Sequence, residues 1–352
     1  MTEKGFVKIK LRDSLSEMEE YVPGKSIKEV AMEFDFDVDG IIKLGSNENP
    51  IGSSPKVVEA ITRHARELYI YPEICSPDLR QAISQYVGYP INNVVIGTGG
   101  DGVLDTIVRL FVDNKDETLI PIPTFSFYEL VTKINGGVPR FIQRGEDFSV
   151  PIDELIDSVN DKTKVIFLCS PNNPTGNVME EKDVRRIAES VNCTVVVDEA
   201  YVEFADRSLL HLVKEYENVI ITRTFSKAFG LAGLRIGYAV IPEWMFGEYM
   251  KVNQPFGVNQ MGVVAGIAAL NDRDHLNRTL DIVSRGREYL TSNISFKVYP
   301  SQANFVFIDV SPLKSKDVAL ELLKHGIIVR DCSSFNGAGD TFLRISVGTD
   351  EQ

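Results

Sequence analysis

The 352-residue sequence has few basic residues, few histidines and few cysteines. Lys and Arg number 37 against 50 Asp and Glu, which gives a formal net charge of −13. General nucleic-acid binding needs a basic face that displaces phosphate counterions, so the charge argues against that class of protein. The four cysteines show no CxxC or other metal-ligand spacing, so no metal site is expected. Cys169 and Cys193 lie in apolar runs, where we expect buried free thiols.

Long apolar runs are also absent. No stretch approaches the roughly 18 uncharged apolar residues of a membrane span, and the N-terminal MTEKGFVKIK lacks the apolar core of a signal peptide. We therefore expect a cytoplasmic protein that does not bind membranes. Hydrophobic residues make up 43% and charged residues 25%, the composition of an ordinary globular protein that can bury a sizeable core.

Six short apolar runs rich in β-branched residues are predicted to be strands. Amphipathic stretches such as 101–111 and 180–191 separate several of them and are predicted to be helices. Near-continuous apolar strands alternating with helices indicate an α/β fold with a largely parallel sheet covered on both faces. Ligands of such sheets gather at the carboxyl ends of the strands. The predicted strands are 93–97, 117–122, 164–169, 193–198, 218–224 and 236–241.

The pattern changes after Gln260, which suggests how the chain is divided. A long helical region at 261–291 is followed by strands mixed with a helix near 315–325, typical of a smaller α+β domain. We expect a large ligand-binding domain over 41–260 and a small domain over 261–352. Residues 1–40 are less regular and are expected to form an arm that joins the small domain.

GTGGDG at 97–102 follows a predicted strand and opens a predicted helix. It satisfies G-x-G-x-x-G, but the dinucleotide-binding fingerprint also needs an acidic residue roughly 20 positions later, at the end of the next strand. Here that strand ends in PIPTFSFY, without an acid. The dinucleotide interpretation is therefore disfavoured. The free N–H groups of a helix N-terminus can still bind a phosphate, and a purely structural glycine turn is the alternative.

Two further polar segments follow predicted strands. SPNNPTG at 170–176 is a turn on any interpretation, and its position lets Asn173 offer its amide to a ligand. Asp198 ends the strand of VVVDEAYVEF, where a buried carboxylate would need a cationic partner. A solvated acid at the end of a strand is the alternative. Tyr201 follows three residues later and could reach the same site.

In TFSKAFGLAGLR, Lys227 lies among small and apolar residues and precedes Arg235 by eight positions. A surface lysine in a turn is the simple interpretation. Pyridoxal 5′-phosphate, however, carries one group for each of these polar segments, and its proteins supply a lysine for the aldehyde and a partner for the ring nitrogen. The aldehyde would react with Lys227, the ring nitrogen would pair with Asp198, and the ring hydroxyl would contact Asn173 and Tyr201. The phosphate would contact Gly99, Gly100, Asp101, Thr224, Ser226 and Arg235.

The sequence as a whole resembles the fold-type I pyridoxal-phosphate-dependent aminotransferases, and within them the histidinol-phosphate aminotransferases. The resemblance implies a large domain with a mostly parallel seven-stranded sheet plus a smaller α+β domain. It covers nearly the whole chain in the family's order and rests on YVPGK (21–25), GSNENPIG, YPE, GTGGDG, PTFSFY, SPNNPTG, VDEAYVEF, TFSKAFGLAGLRIGYA, PSQANF, GIIVRD and LRISVGT (343–349).

The resemblance also implies roles for individual residues. Lys227 would be the Schiff-base lysine, Asp198 the pyridinium partner and Tyr201 a ring-hydroxyl ligand, and these three form the expected catalytic set. Phe125 stands where a stacking tyrosine is usual, so only a hydroxyl is lost, and Gly102 replaces a residue that is usually acidic. Tyr71 of YPE would contact the phosphate of the other subunit, so a homodimer is expected. The expected substrate-binding residues are Tyr21, Asn47, Asn173, Arg330 and Arg344.

The expected reaction is transamination of L-histidinol phosphate with 2-oxoglutarate in histidine biosynthesis. An aromatic-amino-acid aminotransferase and an L-threonine phosphate decarboxylase are alternatives with the same fold. A non-catalytic regulator built on this fold is a further alternative, but it would need an attached DNA-binding domain, for which this acidic chain has no room before the aminotransferase-like region.

Overall fold

The computed structural model describes Arg12, Met18 and residues 25–352. The helices within these residues are α1 Ile27–Phe34, α2 Pro55–His64, α3 Pro77–Val87, α4 Gly99–Phe111, α5 Phe127–Ile134, α6 Ile152–Asp157, α7 Glu181–Ser190, α8 Met245–Val252, α9 Gln260–Leu270, α10 Arg273–Asn293 and α11 Ser315–Lys324. The strands are β1 Ile42–Lys43, β2 Val94–Thr98, β3 Glu117–Ile122, β4 Val138–Gln143, β5 Thr163–Cys169, β6 Thr194–Asp198, β7 Val219–Thr224, β8 Ile236–Val240, β9 Lys297–Tyr299, β10 Phe305–Asp309, β11 Ile327–Ile328, β12 Arg330–Asp331 and β13 Phe342–Ser346.

A seven-stranded sheet forms the centre of the molecule, with the strand order β2-β8-β7-β6-β5-β3-β4. All neighbouring strands are parallel except β8, which runs antiparallel to both β2 and β7. The six predicted strands are confirmed, each within about a residue of its expected ends. The prediction of a mostly parallel seven-stranded sheet is confirmed as well.

The inner strands are mainly apolar because both faces of the sheet are covered. Side chains of β6 alternate between two cores: Val195 and Val197 pack on one face, and Val196 packs on the other. Strand β5 divides in the same way, with Ile166 in the first core and Phe167 in the second. A strand buried on both faces has no polar side, which explains the near-continuous apolar runs in the sequence.

A second, antiparallel sheet of four strands lies in the C-terminal part, in the order β12-β13-β10-β9. Short strand β1 pairs in parallel with β11, and Val30 of α1 packs with Ile328 in one apolar cluster. The N-terminal segment from α1 to β1 therefore packs on the C-terminal part of the chain. The division at 1–40, 41–260 and 261–352 stays a prediction.

The predicted helical region at 261–291 consists of two helices, α9 and α10. They are separated at Asn271 and Asp272. The Asp272 carboxylate accepts a hydrogen bond from the Ser54 hydroxyl and lies 3.2 Å from Lys56 Nζ. This aspartate is thus held by the start of α2. Across the described residues, none of the helices combines the length and apolarity needed to cross a bilayer.

The direction of β8 decides what lies at the functional edge of the sheet. Strands β5, β6 and β7 are mutually parallel, and β2 runs in the same direction because β2 and β7 are both antiparallel to β8. The carboxyl ends of these four strands therefore meet at this edge. Since β8 is antiparallel, its first residues lie at the same edge, and Gly237 is opposite both Gly97 and Thr224. Arg235, which directly precedes β8, is thereby brought beside the start of α4.

Candidate active site

A cavity of about 340 Å³ opens at the carboxyl edge of the large sheet. It lies between that edge, the segment after β1 and the four-stranded sheet. Residues from most of the predicted motifs that the structure describes line it, whereas YPE and PSQANF contribute none. The predicted site residues in its wall are Asn47, Gly100, Asp101, Phe125, Asn173, Asp198, Tyr201, Thr224, Ser226, Lys227, Arg235, Arg330 and Arg344.

Lys227 lies in the turn that follows β7, with its amine in the cavity wall. Its Nζ donates a hydrogen bond to the carbonyl oxygen of Ser46 at 3.3 Å and is 5.6 Å from the centroid of the Tyr201 ring. Burial, together with the nearby Arg344 guanidinium, lowers the pKa of Lys227 to about 8. An amine with such a pKa is available as a nucleophile and as a proton carrier near neutral pH. Its place in the cavity wall disfavours the interpretation of Lys227 as a surface lysine in a turn.

Asp198 ends β6 and is 7% exposed, so the solvated-acid interpretation is wrong. Its carboxylate accepts hydrogen bonds from Tyr128 Oη at 2.7 Å, from Thr222 Oγ1 at 3.1 Å and from the Ala200 N–H at 3.2 Å. Burial raises the pKa of Asp198, whereas these three hydrogen bonds lower it. No side chain in the described part of the chain forms an ion pair with Asp198. A cation in the cavity would supply the charge that the protein does not.

The start of α4 lies beside the turn before β8 in the cavity wall. The first N–H groups of a helix have no intrahelical acceptor and attract anions. Arg235 approaches this end and its Nη2 lies 2.8 Å from Asp101 Oδ2. Gly99 has φ +75°, and a Cβ there would meet Arg235 Nη2 at 2.7 Å. Gly237 is equally restricted, because a Cβ would come within 2.3 Å of the Gly99 carbonyl carbon.

Two hydroxyl groups lie in the cavity wall at the end of β7. Thr224 Oγ1 accepts a hydrogen bond from the Ser226 N–H at 3.1 Å and lies 3.0 Å from Ser226 Oγ. Both residues are buried and line the cavity. Together with the guanidinium and the helix N-terminus they present donors on one side of the cavity, as a bound phosphate requires.

Tyr201 and Asn173 also line the cavity. Tyr201 Oη accepts a hydrogen bond from Asn47 Nδ2 at 3.0 Å, and burial raises the pKa of Tyr201 to about 12. The phenol is therefore protonated at neutral pH. Asn173 Oδ1 accepts a hydrogen bond from Arg344, which leaves the Asn173 amide N–H groups for other acceptors. Arg344 also donates to the Gly45 carbonyl oxygen at 2.7 Å.

Two arginines of the four-stranded sheet line the cavity. Arg330 of β12 is directly opposite Arg344 of β13 in the strand register. Like charges at opposite positions of an antiparallel pair are unfavourable, and an anion between them would offset this cost. Arg330 Nη2 donates to Ser334 Oγ at 3.1 Å, and its guanidinium lies 5.4 Å from the Phe335 ring centroid.

Two of the predicted residues that the structure describes do not line the cavity. Gly99 lies behind the wall, where it shapes the turn under Arg235. Tyr71 is 80% exposed and contacts Phe256, with 5.1 Å between the ring centroids. Tyr21 lies outside the described residues, so its predicted role stays a prediction.

The sequence interpretation missed the residues that hold Asp198. Tyr128 lies one helical turn after Phe125 in PTFSFY and packs edge-on against it, with 5.6 Å between ring centroids. Thr222 precedes Thr224 by two positions, so both point to the same face of β7. These two spacings were visible in the sequence and could have identified both residues.

Residues 39–352 match the aminotransferase class I and II family. The chain belongs to this family. It is 52% identical over 343 residues to the histidinol-phosphate aminotransferase of Methanosarcina mazei, covering 97% of this chain and 93% of that protein. It is 41% identical over 352 residues to the histidinol-phosphate aminotransferase of Methanocaldococcus jannaschii, covering 97% and 94%.

The fold is also that of a solved aminotransferase. The crystal structure of histidinol-phosphate aminotransferase from Sinorhizobium meliloti in complex with pyridoxal 5′-phosphate superimposes with a TM-score of 0.86 at 27% sequence identity. The superposition covers 99% of this chain and 95% of that one. The predicted fold-type I architecture is confirmed.

Proposed function

We propose that this protein transfers the amino group of L-histidinol phosphate to 2-oxoglutarate, giving imidazole acetol phosphate and L-glutamate, with pyridoxal 5′-phosphate as its cofactor. The observation that carries the proposal is the cavity in which Lys227, with its lowered pKa, and Asp198, buried without an ion-pair partner among the described residues, lie beside the donors at the start of α4. The relatives named histidinol-phosphate aminotransferase support the choice of substrate.

The residues present fit this cofactor. When bound, pyridoxal 5′-phosphate supplies an aldehyde that condenses with an amine and a ring that withdraws electrons from the substrate's α-carbon. Asp198 would hold the proton on the ring nitrogen, because its buried carboxylate gains an ion-pair partner there. The N-terminus of α4, Ser226 and Arg235 would hold the phosphate, and Phe125 would stack on the ring.

Lys227 and Tyr201 are assigned the work at the reacting atoms. Lys227 Nζ would hold the aldehyde carbon between turnovers and, once freed by the substrate amine, would take the proton from the substrate's α-carbon and deliver it to the former aldehyde carbon. Its pKa of about 8 suits both directions of this proton transfer near neutral pH. The protonated Tyr201 hydroxyl would donate to the ring hydroxyl oxygen, and Asn173 would donate beside it.

Arg344 and Arg330 are assigned to the substrate anion. Histidinol phosphate has no α-carboxylate, and its phosphate ester takes the corresponding place, whereas 2-oxoglutarate brings a carboxylate. A guanidinium binds either anion in a bidentate way. The two facing arginines favour the phosphate, which has more charge and one more terminal oxygen. Two charge-assisted hydrogen bonds of about 1.5–3 kcal/mol each would favour histidinol phosphate over histidinol by roughly 10²–10⁴ in kcat/KM.

A comparison of amino donors tests this function. Histidinol phosphate, histidinol and phenylalanine are compared in the wild-type protein and in Arg330→Ala, with Arg186→Ala on α7 as a control for loss of an exposed arginine. We expect histidinol phosphate to be preferred and Arg330→Ala to reduce that preference alone. Equal use of phenylalanine, with a ranking unchanged in Arg330→Ala, would favour the aromatic aminotransferase. Carbon dioxide release from L-threonine phosphate would favour the decarboxylase. Both alternatives have less support, because the named relatives are histidinol-phosphate aminotransferases.

We further propose a homodimer in which Tyr71 completes the partner's phosphate site. In support, the stretch around Tyr71 forms an exposed apolar patch, which is unusual for a free surface. A second copy of the chain is the partner that such a shared site requires. The exposed side chains of the patch are Leu68, Tyr69, Ile70, Tyr71, Ile74 and Phe256. The cytoplasmic location stays a prediction.

A further inference from the structure

Asn47 lies in the cavity wall but is 1% exposed and is held on all sides. Its backbone has φ 54°, a left-handed conformation that Asn and Asp tolerate better than other side chains. Its carbonyl oxygen accepts a hydrogen bond from Asn304 Nδ2 at 3.0 Å. A residue fixed so firmly has one amide orientation relative to Tyr201.

Ser346 of β13 determines that orientation. Ser346 Oγ accepts a hydrogen bond from the Asn47 N–H at 2.8 Å, so its own proton is directed at Asn47 Oδ1, 2.9 Å away. With Oδ1 facing Ser346, the Asn47 Nδ2 group faces Tyr201 Oη at 3.0 Å and donates to it. The phenol oxygen is an acceptor in this bond, and its proton is left for an acceptor elsewhere.

We propose that Asn47 is a positioning residue that, together with Ser346, turns the Tyr201 hydroxyl proton toward the cavity and so makes Tyr201 a donor to the cofactor's ring oxygen. This inference rests on the proposed function. The hydrogen bonds form a chain that begins at the Asn47 N–H, which fixes the Ser346 hydroxyl. That hydroxyl fixes the Asn47 amide, and the amide directs the Tyr201 proton to the ligand. These hydrogen bonds connect strand β13 of the four-stranded sheet to a ligand that is bound at the edge of the seven-stranded sheet.

Asn47→Asp reverses the direction of the Tyr201 proton with little change of shape. The aspartate keeps the acceptor for Ser346 and tolerates the left-handed backbone, but its second oxygen accepts the Tyr201 proton instead of donating to Tyr201. We expect the affinity of the apoprotein for pyridoxal 5′-phosphate to fall by about 10–100-fold, the equivalent of one hydrogen bond to a charged oxygen. Ser346→Ala removes the hydroxyl that orients the Asn47 amide, without changing any charge. We therefore expect a smaller fall in the affinity for pyridoxal 5′-phosphate.

The experiment measures the Kd of each apoprotein for pyridoxal 5′-phosphate and for its 3-deoxy analogue, which lacks the ring hydroxyl. We expect Asn47→Asp to weaken binding of pyridoxal 5′-phosphate but not of the 3-deoxy analogue. In a Tyr201→Phe background we expect Asn47→Asp to leave both Kd values unchanged. Equal weakening of both ligands, or an undiminished effect in Tyr201→Phe, would mean that the new charge alone acts and would overturn the inference. Unchanged affinity in both Asn47→Asp and Ser346→Ala would also overturn it. Failure of the wild-type protein to bind pyridoxal 5′-phosphate would contradict the proposed function itself.

Discussion

The lowered pKa of Lys227 makes a prediction about how fast the apoprotein captures its cofactor. With a pKa of about 8, roughly one amine in ten is neutral at pH 7, against roughly one in 3,000 for an ordinary lysine near 10.5. Because only the neutral amine attacks an aldehyde, Lys227 should react about 300-fold faster at pH 7 than an ordinary lysine of equal access. The rate should rise with pH and level off above a midpoint near 8.

The assay is stopped-flow absorbance after mixing apoprotein with pyridoxal 5′-phosphate between pH 6 and 10, with a free lysine derivative as the reference amine. Two variants test the sign of the electrostatic contributions. The Arg344 guanidinium lowers the pKa of Lys227, so Arg344→Gln should move the midpoint upward. Glu48 raises this pKa, so Glu48→Gln should move it downward. A wild-type midpoint near that of the reference amine, or variant midpoints that move the opposite way, would refute the reasoning.

Three further predictions concern the ring, the phosphate and the dimer. Asp198→Asn should stay folded, but its single-turnover rate of amino transfer should fall at least about 10²-fold, since an amide cannot hold the ring proton. An unchanged rate would mean that Asp198 has only a structural role. Gly99→Ala should push Arg235 aside and weaken binding of pyridoxal 5′-phosphate but not of pyridoxal, which has no phosphate. Equal weakening of both ligands would exclude loss of a phosphate contact as the cause. Mixing Lys227→Ala chains with chains carrying a low-activity substitution of Tyr71 should restore part of the activity in heterodimers, whereas a fully active monomer in sedimentation would contradict a shared site.

The sequence predicted the inner strands well because burial on both faces makes their residues mainly apolar. Edge strand β4 was not predicted individually, since it mixes exposed and partly buried residues and contains Pro139 and Arg140. The direction of β8 is equally invisible in the sequence. A strand pattern carries no direction, yet the antiparallel pairing of β8 is what brings Arg235 to the start of α4.

Most of the predicted site residues line one cavity, but their roles stay predictions and their hydrogen bonds were not predicted. Lys227, Asp198 and Asn173 line the same cavity because Asp198 ends a parallel strand, the other two follow one, and carboxyl ends of parallel strands share one edge. The cationic partner expected for Asp198 is not among the described side chains; Tyr128 and Thr222 hold the carboxylate instead. The four buried cysteines are free, as expected for the two that were examined in the sequence.

The most direct measurement of the central claim follows the amino group itself. Histidinol phosphate labelled with ¹⁵N at its amine is incubated with the purified protein, pyridoxal 5′-phosphate and unlabelled 2-oxoglutarate, and the products are identified by mass spectrometry. We predict ¹⁵N-glutamate and imidazole acetol phosphate in equal amounts over many turnovers, and no transfer by Lys227→Ala, which loses the amine that holds the cofactor and moves the α-proton. Absence of label in glutamate with the wild-type protein, or transfer by Lys227→Ala at the wild-type rate, would contradict the account.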